Sequence, residues 1–148
     1  MENITVILEQ KQPHFNRISP QSTVSDALCR MACLQADYLI VMDEDDQFLG
    51  LITDHDIATR VIFHNKDFHA VTVRSVMNTQ LPIAETAQSV EDCMKLMKSH
   101  HVRYIPVFRE HSFAGIISAQ DILEEAVRQR QDIFDENLER GRALSNPY

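Results

Sequence analysis

Two segments of the chain end a short apolar run with a hydroxyl three residues ahead of a carboxylate: Thr53-Asp54-His55-Asp56 and Ser118-Ala119-Gln120-Asp121. Each follows a glycine and two apolar residues, Gly50-Leu51-Ile52 and Gly115-Ile116-Ile117, and each carboxylate precedes an isoleucine. Of only three glycines in the chain, two therefore stand at equivalent places. Two kinds of chemistry fit the pattern. The hydroxyl can cap a helix by accepting a free backbone N–H, and a carboxylate is favoured in a helix's first turn. Alternatively, a strand ending in a hydroxyl and a carboxylate presents acceptor oxygens to a ligand, and a repeated one builds two related polar sites. Both roles can coexist.

Other reactive side chains point elsewhere. His100 and His101 are adjacent and so point differently on any regular element, while His64 and His69 are five apart, a poor spacing for one helical face. Without a Cys-x-x-Cys or His-x-x-x-His pair, surface or structural histidine is expected rather than a metal site. Cys29 and Cys33 fall four apart on a helical pattern, Cys93 reads as core, and an odd number of cysteines does not suggest a disulfide framework. Three glycines cannot build a Gly-rich phosphate loop, and Gly115-Ile116-Ile117-Ser118 is not a nucleophile elbow. No enzyme is expected. A small hydrolase or metal protein is only a third reading.

At 148 residues with 44% apolar content, the chain suits one domain or two halves sharing a core. A net charge of −8 opposes binding to phosphate backbones, and Arg128, Arg130, Arg140 and Arg142 are interleaved with acids, as on a solvated helix face. No nucleic-acid partner is expected. Met1-Glu2-Asn3 does not begin a signal peptide, and no apolar run approaches the ~20 residues of a membrane span. A reduced, cytoplasmic protein is expected.

The elements that position the two polar segments are themselves repeated. Val24 meets Val90, Asp26 meets Asp92, Met31 meets Met97, Tyr38 meets Tyr104 and Val41 meets Val107; after one extra residue in the first copy, Gly50 meets Gly115 and Asp56 meets Asp121. Thr23-Val24-Ser25-Asp26 and Ser89-Val90-Glu91-Asp92 read as helix starts with capping boxes. Val24, Ala27, Leu28 and Met31, like Val90, Cys93, Met94 and Met97, follow at helical spacing. Tyr38–Met42 and Tyr104–Phe108 read as strands, Asp43–Asp46 and Arg109–Ser112 as turns, Phe48–Ile52 and Phe113–Ile117 as returning strands. A second helix begins at Asp54 or near Ser118. The expected fold is α+β: an N-terminal segment over 1–14, one β-α-β-β-α repeat over 15–64, a connection over 65–80, a second repeat over 81–127, and a C-terminal helix and tail over 128–148. Neither half buries its sheet alone, so the two should pack about a pseudo-twofold axis. Glu124 to Leu144 reads as one helix, with Leu123, Val127, Phe134 and Leu138 near one stripe.

Leu49-Gly50-Leu51-Ile52-Thr53-Asp54-His55-Asp56-Ile57, Val102-Arg103-Tyr104-Ile105-Pro106-Val107 and Ala114-Gly115-Ile116-Ile117-Ser118-Ala119-Gln120-Asp121-Ile122 together resemble a tandem pair of cystathionine-β-synthase (CBS) domains, a Bateman module. Val73-Arg74-Ser75-Val76-Met77 is similar to the segment that leads into the second copy, and the tail to the closing helix of small stand-alone bacterial members. The resemblance implies a regulatory ligand-binding module. Its ligand would be AMP or a related adenosine compound (ADP, ATP, NAD(H) or S-adenosylmethionine), and it would form a homodimer and act on a separate effector protein. Carried over by position, Asp56 and Asp121 would accept hydrogen bonds from ribose hydroxyls, each contributing about 1.5–3 kcal/mol. Thr53 and Ser118 would face the ribose–phosphate region, and Tyr38, Tyr104 and Pro106 would belong to the nucleotide cleft. Arg17 and Ile83 stand where members often carry Thr or Ser, His55 where close members carry Arg, and Gln120 where a small residue is usual. Arg17 and Arg103 are candidate phosphate partners. At most one well-formed site per chain is expected. The substitutions at Arg17, Ile83 and Gln120 also motivate a ligand-free dimerisation or protein-docking module.

Overall fold

In the computed structural model, which describes residues 3–11 and 16–145, the elements run α1 (Thr5–Gln10), β1 (Arg17–Ile18), α2 (Val24–Leu34), β2 (Tyr38–Met42), β3 (Phe48–Thr53), α3 (Asp54–Ile57, continuing as a π-helical turn over Ala58–Ile62), α4 (Val73–Val76), β4 (Ala84–Glu85), α5 (Val90–His100), β5 (Tyr104–Arg109), β6 (Ser112–Ser118) and α6 (Ala119–Ser145). The expected β-α-β-β-α order holds in both copies. Each makes a three-stranded sheet in which the first strand runs parallel to the second and the second antiparallel to the third.

Local chemistry sets the matching boundaries. Thr23 and Ser89 accept the backbone N–H of Asp26 and Asp92 at 3.1 Å, and the two carboxylates return bonds to the cap N–H groups. These capping boxes satisfy donors that the first helical turn leaves free. At the other ends, Gln35 and His101 close α2 and α5 in the left-handed region at φ 52° and 53°, so each chain turns directly into its central strand.

β2 is buried over Leu39–Met42 because it is covered on both faces. Leu39 and Val41 join Val24, Ala27, Met31, Val61, Val73 and Val76 in the core of the first repeat, while Ile40 and Met42 meet Leu51 and Ile116 between the sheets. Phe48 stacks on Phe113 with ring centroids 4.6 Å apart, and Tyr38 meets Tyr104 at 4.8 Å. The two halves therefore share one apolar seam.

Two elements extend the sequence reading. The N-terminal segment contains α1, which places Ile4 and Ile7 in the core of the second repeat beside Ala84, Cys93, Met97, Ile105, Val107 and Ile117. The second repeat's closing helix and the C-terminal helix are one element, α6, instead of a helix beginning at Glu124. Leu123, Val127 and Leu138 are exposed on it; the side chain of Phe134 lies outside the described residues.

Candidate functional site

Thr53 ends β3 and caps α3. Its Oγ1 accepts the Asp56 N–H at 3.1 Å and donates to Asp56 Oδ2 at 2.9 Å, and the Thr53 N–H donates to that same Oδ2 at 3.1 Å. Asp56 is buried, and its second oxygen, Oδ1, faces the Arg60 Nε at 4.0 Å. The cap thus occupies one carboxylate oxygen and leaves the other available.

Between the repeats lies a cleft of about 280 Å³ that joins Thr53, Asp54, His55 and Asp56 to His101, Arg103 and Tyr104, with Asn78 of the connection and Leu81 just after it on its wall. Asn78 is held there by antiparallel bonds with Leu51, 3.1 Å and 2.7 Å long. That approach requires glycine before it: a Cβ on Gly50 would stand 2.5 Å from the Asn78 carbonyl oxygen.

The second copy repeats the cap. Ser118 Oγ accepts the Asp121 N–H at 3.0 Å, and Asp121 Oδ2 accepts the Ser118 N–H at 2.8 Å. A cleft of about 290 Å³ beside it is lined by Asp37, Arg103, Tyr104, Ser118, Gln120 and Leu123. Here Asp121 is engaged: Lys11 Nζ donates to its Oδ2 at 2.6 Å, to the Ile116 carbonyl at 2.8 Å and to the Tyr38 hydroxyl at 3.2 Å. Burial pulls the Lys11 ammonium's pKa down, but Tyr38 and the bond and charge of Asp121 outweigh it, so the group stays above the ordinary lysine value. Across the axis, the Tyr104 hydroxyl donates to Asp37 at 2.8 Å. Burial and then the Asp37 bond and charge push this phenol well above its usual range.

The twelve candidate residues therefore separate. Thr53, His55, Asp56, Arg103 and Tyr104 meet in the first cleft, and Ser118, Gln120, Arg103 and Tyr104 in the second, with Asp121 and Tyr38 gathered round Lys11. Gln120 donates to Glu124 at 3.0 Å. Arg17, Ile83 and Pro106 line neither cleft: Arg17 pairs with Asp46 in the β2–β3 turn, Ile83 is exposed ahead of β4, and Pro106 is buried in β5 opposite Ile116. Lys11, Asp37, Asp54, Asn78, Leu81 and His101 belong to the sites but were not expected from the sequence. For Asp37 a signal existed, since it occupies Arg103's place in the repeat. For Lys11 there was none, because α1 lies outside the repeat. Among the described residues, no three His, Cys, Asp or Glu side chains converge as metal ligands.

Comparison with known proteins gives the family and the fold. The profile of the CBS domain family matches residues 12–62 and 73–128. The CBS domain-containing protein YhcV of Bacillus subtilis (strain 168) is 30% identical over 129 residues, 87% of this chain and 85% of that protein. The crystal structure of the CBS domain NE2398 superposes with a TM-score of 0.79 at 26% identity, covering 86% of this chain and 99% of that one. A hexameric CBS-CP12 protein from bloom-forming cyanobacteria superposes with a TM-score of 0.71 at 25% identity, covering 93% of this chain and 84% of that one.

Proposed function

The chain belongs to the CBS domain family as a tandem pair, and on that premise we propose that it is a regulatory module that binds an adenosine nucleotide, AMP or a relative such as ADP, ATP or NAD(H), between its repeats. The observation that carries this reading is the first cleft. It brings a buried carboxylate with one oxygen outside the cap, Asp56, from one repeat to an arginine and a tyrosine, Arg103 and Tyr104, from the other. A ribose offers two neighbouring hydroxyls to a carboxylate, and a guanidinium suits phosphate oxygens. A ligand there touches both repeats at once. Its occupancy favours one arrangement of the halves, or of an assembly, to the extent that it binds that arrangement more tightly.

The output is conformational rather than catalytic and passes to a second copy or to an effector protein. A homodimer is supported by the uncovered apolar residues of α6. Among relatives, a CBS-CP12 protein is hexameric. The three free cysteines of this chain, two of them exposed, fit a reducing, cytoplasmic setting. Among the described residues, no helix is long and apolar enough to cross a membrane.

Thermal unfolding against AMP, ADP, ATP, NADH and S-adenosylmethionine, with 2′-deoxyadenosine compounds as controls, tests the reading. A ligand at about 100 times its dissociation constant adds roughly 2.7 kcal/mol. The reading expects a shift that shrinks with the deoxyribose compounds. No shift at millimolar concentration favours the second reading, a ligand-free docking module. Specific observations support that alternative: Arg17 is tied to Asp46, and Lys11 already occupies Asp121.

A further inference from the structure

The two copies of the polar motif are alike in sequence and unlike in what surrounds their carboxylates. Each central strand begins with a tyrosine that pairs in register with the capping hydroxyl, Tyr38 with Thr53 and Tyr104 with Ser118. The residue before that tyrosine is Asp37 in the first copy and Arg103 in the second. Because the first cleft takes its carboxylate from one repeat and its strand start from the other, the exchange matters. The first cleft combines Asp56 with Arg103, whereas the second has Asp37 on its wall and is not lined by Asp121, which Lys11 holds. Arg103 borders both. The volumes, about 280 and 290 Å³, do not distinguish them.

Lys11 completes the difference. Its ammonium has three donors, and all three find acceptors: the Asp121 carboxylate, the Ile116 carbonyl and the Tyr38 hydroxyl. Asp121 Oδ2 thus takes two bonds, from Lys11 and from the Ser118 N–H, and its charge is compensated within the chain. The lysine is anchored rather than passing by. The helix that delivers it sinks Ile4 and Ile7 into the second core, and Thr5 Oγ1 donates to the Thr86 carbonyl at 3.1 Å.

We infer that Lys11 is a built-in occupant of the second carboxylate, so that the chain binds one adenosine nucleotide, at Asp56, and keeps the Asp121 cleft closed to it. This rests on the nucleotide reading above and decides which of the two motifs serves it. A nucleotide at Asp121 must displace an ion pair and bring its phosphates past Asp37. At Asp56 it meets an oxygen whose nearest cation stands 4.0 Å away.

Calorimetric titration with AMP tests this on the full chain and on the variants Asp56→Asn, Asp121→Asn and Lys11→Met, the last of which keeps the aliphatic stem. The expected results are one AMP per wild-type chain, at least tenfold weaker binding by Asp56→Asn, and binding by Asp121→Asn within about twofold of wild type. Lys11→Met gains a second, weaker event that is lost again in Lys11→Met/Asp121→Asn. Two AMP per wild-type chain, dependence on Asp121 instead of Asp56, or a single event in Lys11→Met overturns the inference while leaving nucleotide binding intact. No binding by any variant, with far-UV circular dichroism showing each folded, removes the nucleotide reading itself and the site assignment with it.

Discussion

Lys11 engages the carboxylate of the second motif, and its pairing has a measurable pH signature. The folded protein holds its ammonium above the ordinary pKa of 10.5. A raised folded-state value means the contribution to stability is complete below the unfolded pKa and is lost as pH rises through the folded one. The difference in melting temperature between wild type and Lys11→Met should therefore stay constant from neutral pH to about 10, then shrink above that. A difference that shrinks between pH 7 and 9 contradicts the pairing. Cys93 gives a second test at this scale. Burial, then the neighbouring Asp92 charge, pushes its thiol up to about 11, and thiolate is the reactive form. A disulfide reagent at pH 8 should label the exposed Cys29 and Cys33 quickly and Cys93 only after denaturation, counted as two and then three modifications by mass spectrometry.

The elements divide between those that residue spacing reveals and those that only contacts reveal. The capping boxes at Thr23 and Ser89, the apolar periodicity behind them and the alternating strands are local signals, and the folded chain follows them. The packing of the two halves about an axis was expected from the repeat, but which strand start meets which cap comes from the contacts: Thr53 and Asp56 lie beside Arg103 and Tyr104. The docking of α1 was not expected. A six-residue helix with no side-chain cap carries little local signal, and its position comes from burying Ile4 and Ile7. Ile7→Ala should cost about 2–5 kcal/mol, measured by denaturant unfolding; a loss below 0.5 kcal/mol would mean α1 is not part of the second core. The role of Gly50 was half visible: the motif marks it, but the reason is the Asn78 carbonyl across the gap. Gly50→Ala must push the connection away from β3. It should destabilise by about 1–3 kcal/mol, the usual cost of overpacking, and weaken AMP binding because Asn78 and Leu81 wall the first cleft. Unchanged stability and affinity would show that the connection yields freely.

On the scale of the whole molecule, the seam between the sheets uses Ile40, Met42, Leu51 and Ile116, but α6 is left with apolar residues uncovered. Twenty-seven residues make a helix about 40 Å long, longer than either sheet needs to cover it. Leu123, Val127 and Leu138 are 64%, 50% and 46% exposed, and in the sequence they fall with Phe134 at intervals of four, seven and four. That spacing is the narrow seam by which two helices pack against each other. A second copy of the chain supplies a matching stripe, and the dimer would bury both. Like charge opposes it, since each chain carries a net −8, so association should tighten as salt screens the repulsion. Light scattering coupled to size-exclusion chromatography should give a dimer at micromolar concentration, more completely at 0.5 M than at 0.05 M salt. Val127→Glu places a carboxylate in the middle of the stripe and should yield a monomer with an unchanged far-UV circular dichroism spectrum. A wild-type monomer at high concentration and high salt, or a Val127→Glu variant that still dimerises, would leave α6 without this role. Regulation would then have to pass through a different protein.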